Sequence, residues 1–225
     1  MVIKVACCGG QLVHSNHPHT SLGHPPADPS TSTDGLEYPE RLQRALGEGY
    51  EVVNAGAPAC YVSPANEAAD DGPTVVYHKT AQAAECLAGE PDIVVLGPFG
   101  KHDALAPGET GDYDGPPTFT ADEWSAGMQA MAEHLGAAGA TVVLALPVPF
   151  PSGSTTHALA TTAVAATKAA AAALGLAVAD TYTPFAGNAS VFPDADHLDN
   201  PGTDLLTDAV AEAVKEAAAG LAAKL

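Results

Sequence analysis

Asp194 and His197 stand three residues apart in Phe192-Pro193-Asp194-Ala195-Asp196-His197, just ahead of the last helical run of a 225-residue chain. On a turn, that spacing puts both side chains on the same side. A carboxylate that accepts from one imidazole nitrogen fixes the tautomer and leaves the other nitrogen as a general base. The competing reading is structural, an Asp/His turn that closes the final loop at the surface. A second set of chemistry-bearing residues lies in His14-Ser15-Asn16-His17-Pro18-His19, with His24 further on. Imidazoles suit zinc, copper or nickel, and His14, His17 and His19 could bind such an ion with help from His102 or His197. No carboxylate or thiolate stands at a recognised ligand spacing, however, which favours a solvated histidine-rich loop. No cofactor is expected.

These residues need elements to position them. Five short β-rich runs alternate with helical stretches: Val2–Cys8, Tyr50–Asn54, Asp92–Gly97, Thr141–Pro147 and Leu176–Asp180. Most are continuous apolar runs, as expected for strands covered on both faces. Helices are expected near Pro39–Leu46, His78–Ala88, Ala121–Ala138, Thr156–Leu174 and Asp204–Leu221. Thr120 followed by Glu123 forms a capping box. Gly136, Gly139 and Gly175 punctuate helix ends, and Pro201 suits a first-turn position. Strict alternation implies a three-layer α/β/α sandwich with a parallel sheet; the overall reading is a five-stranded sheet in the flavodoxin-like order 2-1-3-4-5. Sites in such sheets form outside the carboxyl ends of the strands. The first loop there, Gly9–Glu37, is long and rich in His, Pro, Ser and Thr, as functional or disordered loops are.

Composition sets bounds. With 46% hydrophobic residues, the chain can bury one core, so one domain over residues 1–225 is the expectation. Twenty-seven acidic residues against 8 basic ones give a net charge of −19, a surface that repels nucleic acid and anionic lipid. No apolar run approaches the ~20 residues that span a bilayer. The first residues, Met1 to Cys8, read as a buried strand and not a signal peptide, which points to a cytosol-like or other soluble compartment. Cys7, Cys8, Cys60 and Cys86 match no zinc or CxxC pattern. Cys7 and Cys8 should point to opposite faces of their strand and remain buried, reduced thiols. Trp124, the single tryptophan, should pack the third helix against the sheet.

Taken together, the pattern resembles the SGNH (GDSL-type) hydrolase family over nearly the full chain. Tyr38-Pro39-Glu40-Arg41-Leu42 and Gly49-Tyr50-Glu51-Val52-Val53-Asn54 are similar to its first helix and second strand. Asn54-Ala55-Gly56 resembles its second block, whose glycine amide contributes to the oxyanion hole. Gly100-Lys101-His102-Asp103 stands where the family has Gly-x-Asn-Asp, and Asp194 to His197 resembles its Asp-x-x-His block. By this resemblance His197 is the base, Asp194 orients it, and Gly56 and His102 stabilise an oxyanion. Two positions depart from the family. Gly9-Gly10-Gln11 replaces its Gly-Asp-Ser, so Gln11 occupies the place of the nucleophilic serine. His102 replaces the oxyanion asparagine, but an imidazole N–H still donates.

A glutamine amide is no acyl-transfer nucleophile. Ser15, four residues on, is one replacement; Cys8 and Cys60 are weaker ones, because a strand-end thiol is more often a core residue. Alternatively, His197 activates water directly while Gly56, His102 and Gln11 polarise a carbonyl. The resemblance thus implies hydrolysis of an ester or O-acyl group on a small molecule or carbohydrate. The leading rival is a catalytically silent SGNH-like domain that binds a ligand or partner, and a metal-dependent enzyme on the His14/His17/His19 loop comes third.

Overall fold

The computed structural model describes residues 2–10, 13, 38–57, 60–62, 76–99, 119–149, 153–192 and 198–223. Five strands form one parallel sheet: β1 (Ile3–Gly9), β2 (Tyr50–Gly56), β3 (Ile93–Leu96), β4 (Thr141–Ala145) and β5 (Ala177–Ala179). Their order is β2-β1-β3-β4-β5, the order expected. Five α-helices accompany them among the described residues: α1 (Tyr38–Leu46), α2 (Ala81–Ala88), α3 (Ala121–Gly136), α4 (Gly153–Leu174) and α5 (Asn200–Ala222).

The sheet carries a separate core on each face, because successive side chains along a strand point to opposite sides. Ala6, Cys8, Val94 and Leu96 pack with residues of α2, α3 and α4. Val5, Cys7, Ile93 and Val95 pack with residues of α1 and α5. This is the three-layer arrangement, and it sends Cys7 and Cys8 to opposite faces as expected. Each fully buried Val, Leu or Ile stabilises the fold by about 1.5–3 kcal/mol. β1 is buried from Val5 to Gly9 because β2 and β3 flank it. β2 is an edge strand, so Glu51, Val53 and Asn54 stay exposed, unlike the two-sided burial expected of the strands.

Several element ends differ from those read in the sequence, and local hydrogen bonds explain two of the shifts. The helix expected from His78 starts at Ala81. Thr80 caps it by accepting from the Ala83 N–H at 3.1 Å, while Tyr77–Lys79 form a separate 3-10 turn. The helix expected from Asp204 starts at Asn200, because Asp199 accepts from the Gly202 N–H at 2.7 Å and Pro201 fits the first turn. The Thr120–Glu123 capping box is present, and the Thr120 N–H donates to the Glu123 carboxylate at 2.7 Å. Trp124 is buried, but it joins α3 to α4 more than to the sheet. Its indole N–H donates to Thr167 Oγ1 at 3.0 Å, and its ring lies against Phe99 and Phe119.

No helix among the described residues is long and apolar enough to cross a membrane.

Candidate active site

Three strands end together at the carboxyl edge of the sheet, and each ends in glycine-containing backbone. The register places Gly9 beside Gly56, and Cys8 beside both Ala55 and Leu96, the residue before Gly97. The Ala57 N–H donates to Gly9 O at 2.8 Å, and the Gly97 N–H donates to Cys8 O at 2.7 Å. Chain ends are thereby held one strand-width apart. Gly97 has φ of +98°, and a Cβ there would sit 2.9 Å from the Ala145 carbonyl oxygen. Gly9 allows a similarly close approach, since a Cβ on it would lie 3.1 Å from Gly97 Cα. Only glycine meets both demands at Gly97.

The Gly56 N–H donates to Asn54 Oδ1 at 2.9 Å, a short side-chain turn that fixes how β2 ends. The residues that flank the segment with Asp194 and His197 are joined to each other. The Asp199 N–H donates to Val191 O at 2.9 Å, and Phe192 and Leu198 are buried in the core beneath it. Gly202 leaves room for this closure, because a Cβ on it would lie 3.0 Å from Val191 O. Asp199 also caps α5, so the base of the segment and the helix start are one unit. Arg41 of α1 holds that unit from outside. Its guanidinium donates to Asn200 Oδ1 and, at 2.6 Å, to Asp204 Oδ1.

The buried thiols lie below this edge. Burial pushes the Cys7 thiol up to about 12, and burial also raises Cys8 well above the ordinary thiol value. A fully buried, protonated sulfur is a poor nucleophile toward an ester bound at the sheet edge, and Cys8 Sγ faces Cys86 Sγ at 2.9 Å within the core. Cys60 is buried as well. Among the described residues, no group of three or more His, Cys, Asp or Glu side chains could hold a metal ion.

No protein-family model and no curated protein matches the sequence. Solved structures do match. A lipase/acylhydrolase from Enterococcus faecalis shares 19% identity at a TM-score of 0.64, over 96% of each chain. An acetyl xylan esterase, AlAXEase, shares 17% at 0.65, over 94% of this chain and all (100%) of that one. A member of the lipolytic G-D-S-L family from Veillonella parvula DSM 2008 shares 16% at 0.59, over 94% and 97%. The chain has the SGNH-hydrolase fold.

Within the SGNH-hydrolase fold, Gly56 lies among the described residues, at the carboxyl end of β2, as do the weaker nucleophile candidates Cys8 and Cys60. Gln11, Ser15, His102, Asp194 and His197 lie outside them, as do His14, His17 and His19. The segments flanking these residues are described. Gly10 closes β1 ahead of Gln11, and the Val13 N–H donates to Gly10 O at 3.1 Å. Phe99 precedes the segment with His102, and Phe192 and Leu198 bracket Asp194 and His197. Sequence reading missed Asn54 as the acceptor on the Gly56 amide and Arg41 as the tie on α5. The first follows a local two-residue spacing and was available; the second joins residues 163 apart and had no local signal.

Proposed function

We propose that this chain hydrolyses an ester or O-acyl bond of a small molecule or a carbohydrate. One observation carries the reading: β1, β2 and β3 end side by side in glycine-containing backbone, with the Gly56 N–H at that edge, in a fold shared with lipases and esterases. The acetyl xylan esterase and the acylhydrolase among the structural neighbours support the O-acyl class of substrate.

In the proposed reaction His197 removes a proton from the attacking oxygen, which belongs to Ser15 or to water. That oxygen bonds to the acyl carbon, and the carbonyl electrons move onto its oxygen. The Gly56 N–H, exchanging Asn54 for this oxyanion, and His102 donate to it. Asp194 holds the imidazole through its other nitrogen. The carbonyl then reforms, the alcohol leaves, and protonated His197 returns the proton to it. With Ser15 as nucleophile, a second cycle with water frees the acyl-enzyme. Gln11 stands where the family's serine would be and offers a side-chain amide to the carbonyl.

An activated acyl ester tests the reading. A burst of product, abolished in both His197→Ala and Ser15→Ala, supports the serine route. Turnover that survives Ser15→Ala yet falls by about 10²–10⁴-fold in His197→Ala supports activated water. The replacement of the family's Gly-Asp-Ser by Gly9-Gly10-Gln11 favours a second reading, a domain that binds without turnover. Silence on a broad ester panel, with ligand binding unchanged in His197→Ala, would establish that reading instead. Loss of activity to chelators, restored by added zinc, would point to the His14/His17/His19 loop.

A further inference from the structure

Cys8 Sγ and Cys86 Sγ approach to 2.9 Å across the interface between β1 and α2. A disulfide bond is about 2.05 Å long, so the two sulfurs stand roughly 0.9 Å outside bonding distance. The residues are 78 apart in sequence and belong to well-packed elements, so the approach is built by the fold. It also has an access route. A cavity of about 180 Å³ opens between β1, β2 and α2, lined by Lys4, Glu51, Val53, Glu85, Cys86 and Gly89 among others. Cys86 borders the cavity although only 3% exposed, whereas Cys8 does not line it and is wholly buried. A cavity of this size admits several water-sized molecules, and hydrogen peroxide is little larger than water.

We infer that Cys8 and Cys86 form a peroxide-oxidisable dithiol, a site of reversible disulfide formation separate from the proposed ester chemistry. Cys86 is the reacting thiol. The hydrogen bond from Cys8 lowers its pKa against the opposing effect of burial, while Cys8 remains protonated. The Cys86 sulfur attacks one peroxide oxygen and the O–O bond breaks. This gives a sulfenic acid and hydroxide, which takes up the thiol proton and leaves as water. The Cys8 sulfur then attacks the Cys86 sulfur: the S–S bond forms, the S–O bond breaks, and hydroxide leaves with the Cys8 proton as a second water. Two thiols are oxidised and one peroxide is reduced. The link would tether β1 to α2 one residue before Gly9, where the strand enters the candidate site.

Intact mass spectrometry of the reduced full chain, before and after hydrogen peroxide, tests the inference. The expected result is a loss of about 2 Da that dithiothreitol reverses. Trypsin separates the partners, because Cys86 lies between Lys79 and Lys101 while Cys60 lies between Arg44 and Lys79. Cys7 and Cys8 share the peptide between Lys4 and Arg41, so fragmentation of the linked peptide, or Cys7→Ser, assigns the bond. Cys86→Ser should abolish the loss, and Cys60→Ser should leave it intact. Cys8→Ala serves as the second block should Cys86→Ser fold poorly. An unchanged mass, stable addition of oxygen at Cys86 without a link, or a link through Cys7 or Cys60 would each overturn the inference.

Discussion

At Gly56 a single N–H serves two partners in turn, Asn54 in the resting protein and the oxyanion in the proposed reaction. Asn54 is therefore the residue through which that donor can be tuned. Asn54→Asp keeps the acceptor but places a carboxylate beside the developing negative charge. We expect kcat for ester hydrolysis to fall by about 10-fold or more, with stability unchanged within about 0.5 kcal/mol, read by steady-state kinetics beside thermal melts. Asp180, at the end of β5, offers a second residue-level test. Burial pushes its carboxyl up, but the N–H and hydroxyl of Thr183, the Tyr182 N–H and the charge of Lys168 together hold it below the usual range. A depressed folded pKa contributes stability above the unfolded value of about 3.9, and that stability disappears as pH falls through the folded value. Asp180→Ala should therefore cost about 1 kcal/mol at neutral pH, as loss of a comparable cap does. The gap between variant and parent melts should close as pH falls below the unfolded carboxyl value and through the depressed folded one.

Between elements, contact is decided by backbone approach and by a few long side chains. Gly127 of α3 lies so close to the segment at Val62 that an added Cβ would sit 2.1 Å from the Val62 carbonyl oxygen. Gly127→Ala gains about 1 kcal/mol of helix propensity but forces two backbones apart. The clash wins, and a net loss of about 2 kcal/mol is expected in denaturant unfolding. Arg41→Ala removes the tie between α1 and the start of α5, so amide exchange in the first turn of α5 should accelerate, with a global loss of about 1–3 kcal/mol. Neither contact could be read in the sequence, because each joins residues far apart along the chain. What could be read was periodic or local: the apolar runs of β1, β3 and β4, and the Thr120–Glu123 cap. The late placement of the α5 start shows one local signal yielding to another. Apolar spacing suggested Asp204, while Pro201 already marked the true first turn. Asp194 and His197 stood out by their three-residue spacing, whereas the roles proposed for Gln11, Ser15 and His102 rest on family resemblance, since no period or spacing encodes which loops meet.

Across the whole molecule, a net charge of −19 works against compactness through self-repulsion. Salt screens such repulsion over about 10 Å at 0.1 M. The melting temperature should therefore rise with sodium chloride from ~0.01 to ~0.5 M, whereas a fold held by surface ion pairs would weaken. Calorimetry across that range decides between them. The clasp between Val191 and Asp199 carries a different consequence at this scale. On either side of residues 193–197 the chain is fixed by contacts of its own, the backbone hydrogen bond from Asp199 to Val191 and the buried side chains of Phe192 and Leu198. Such a segment can be rewritten as a cassette. Shape and chemistry then answer to different residues, and a lineage could give up or regain a reaction at this place without re-solving how to fold.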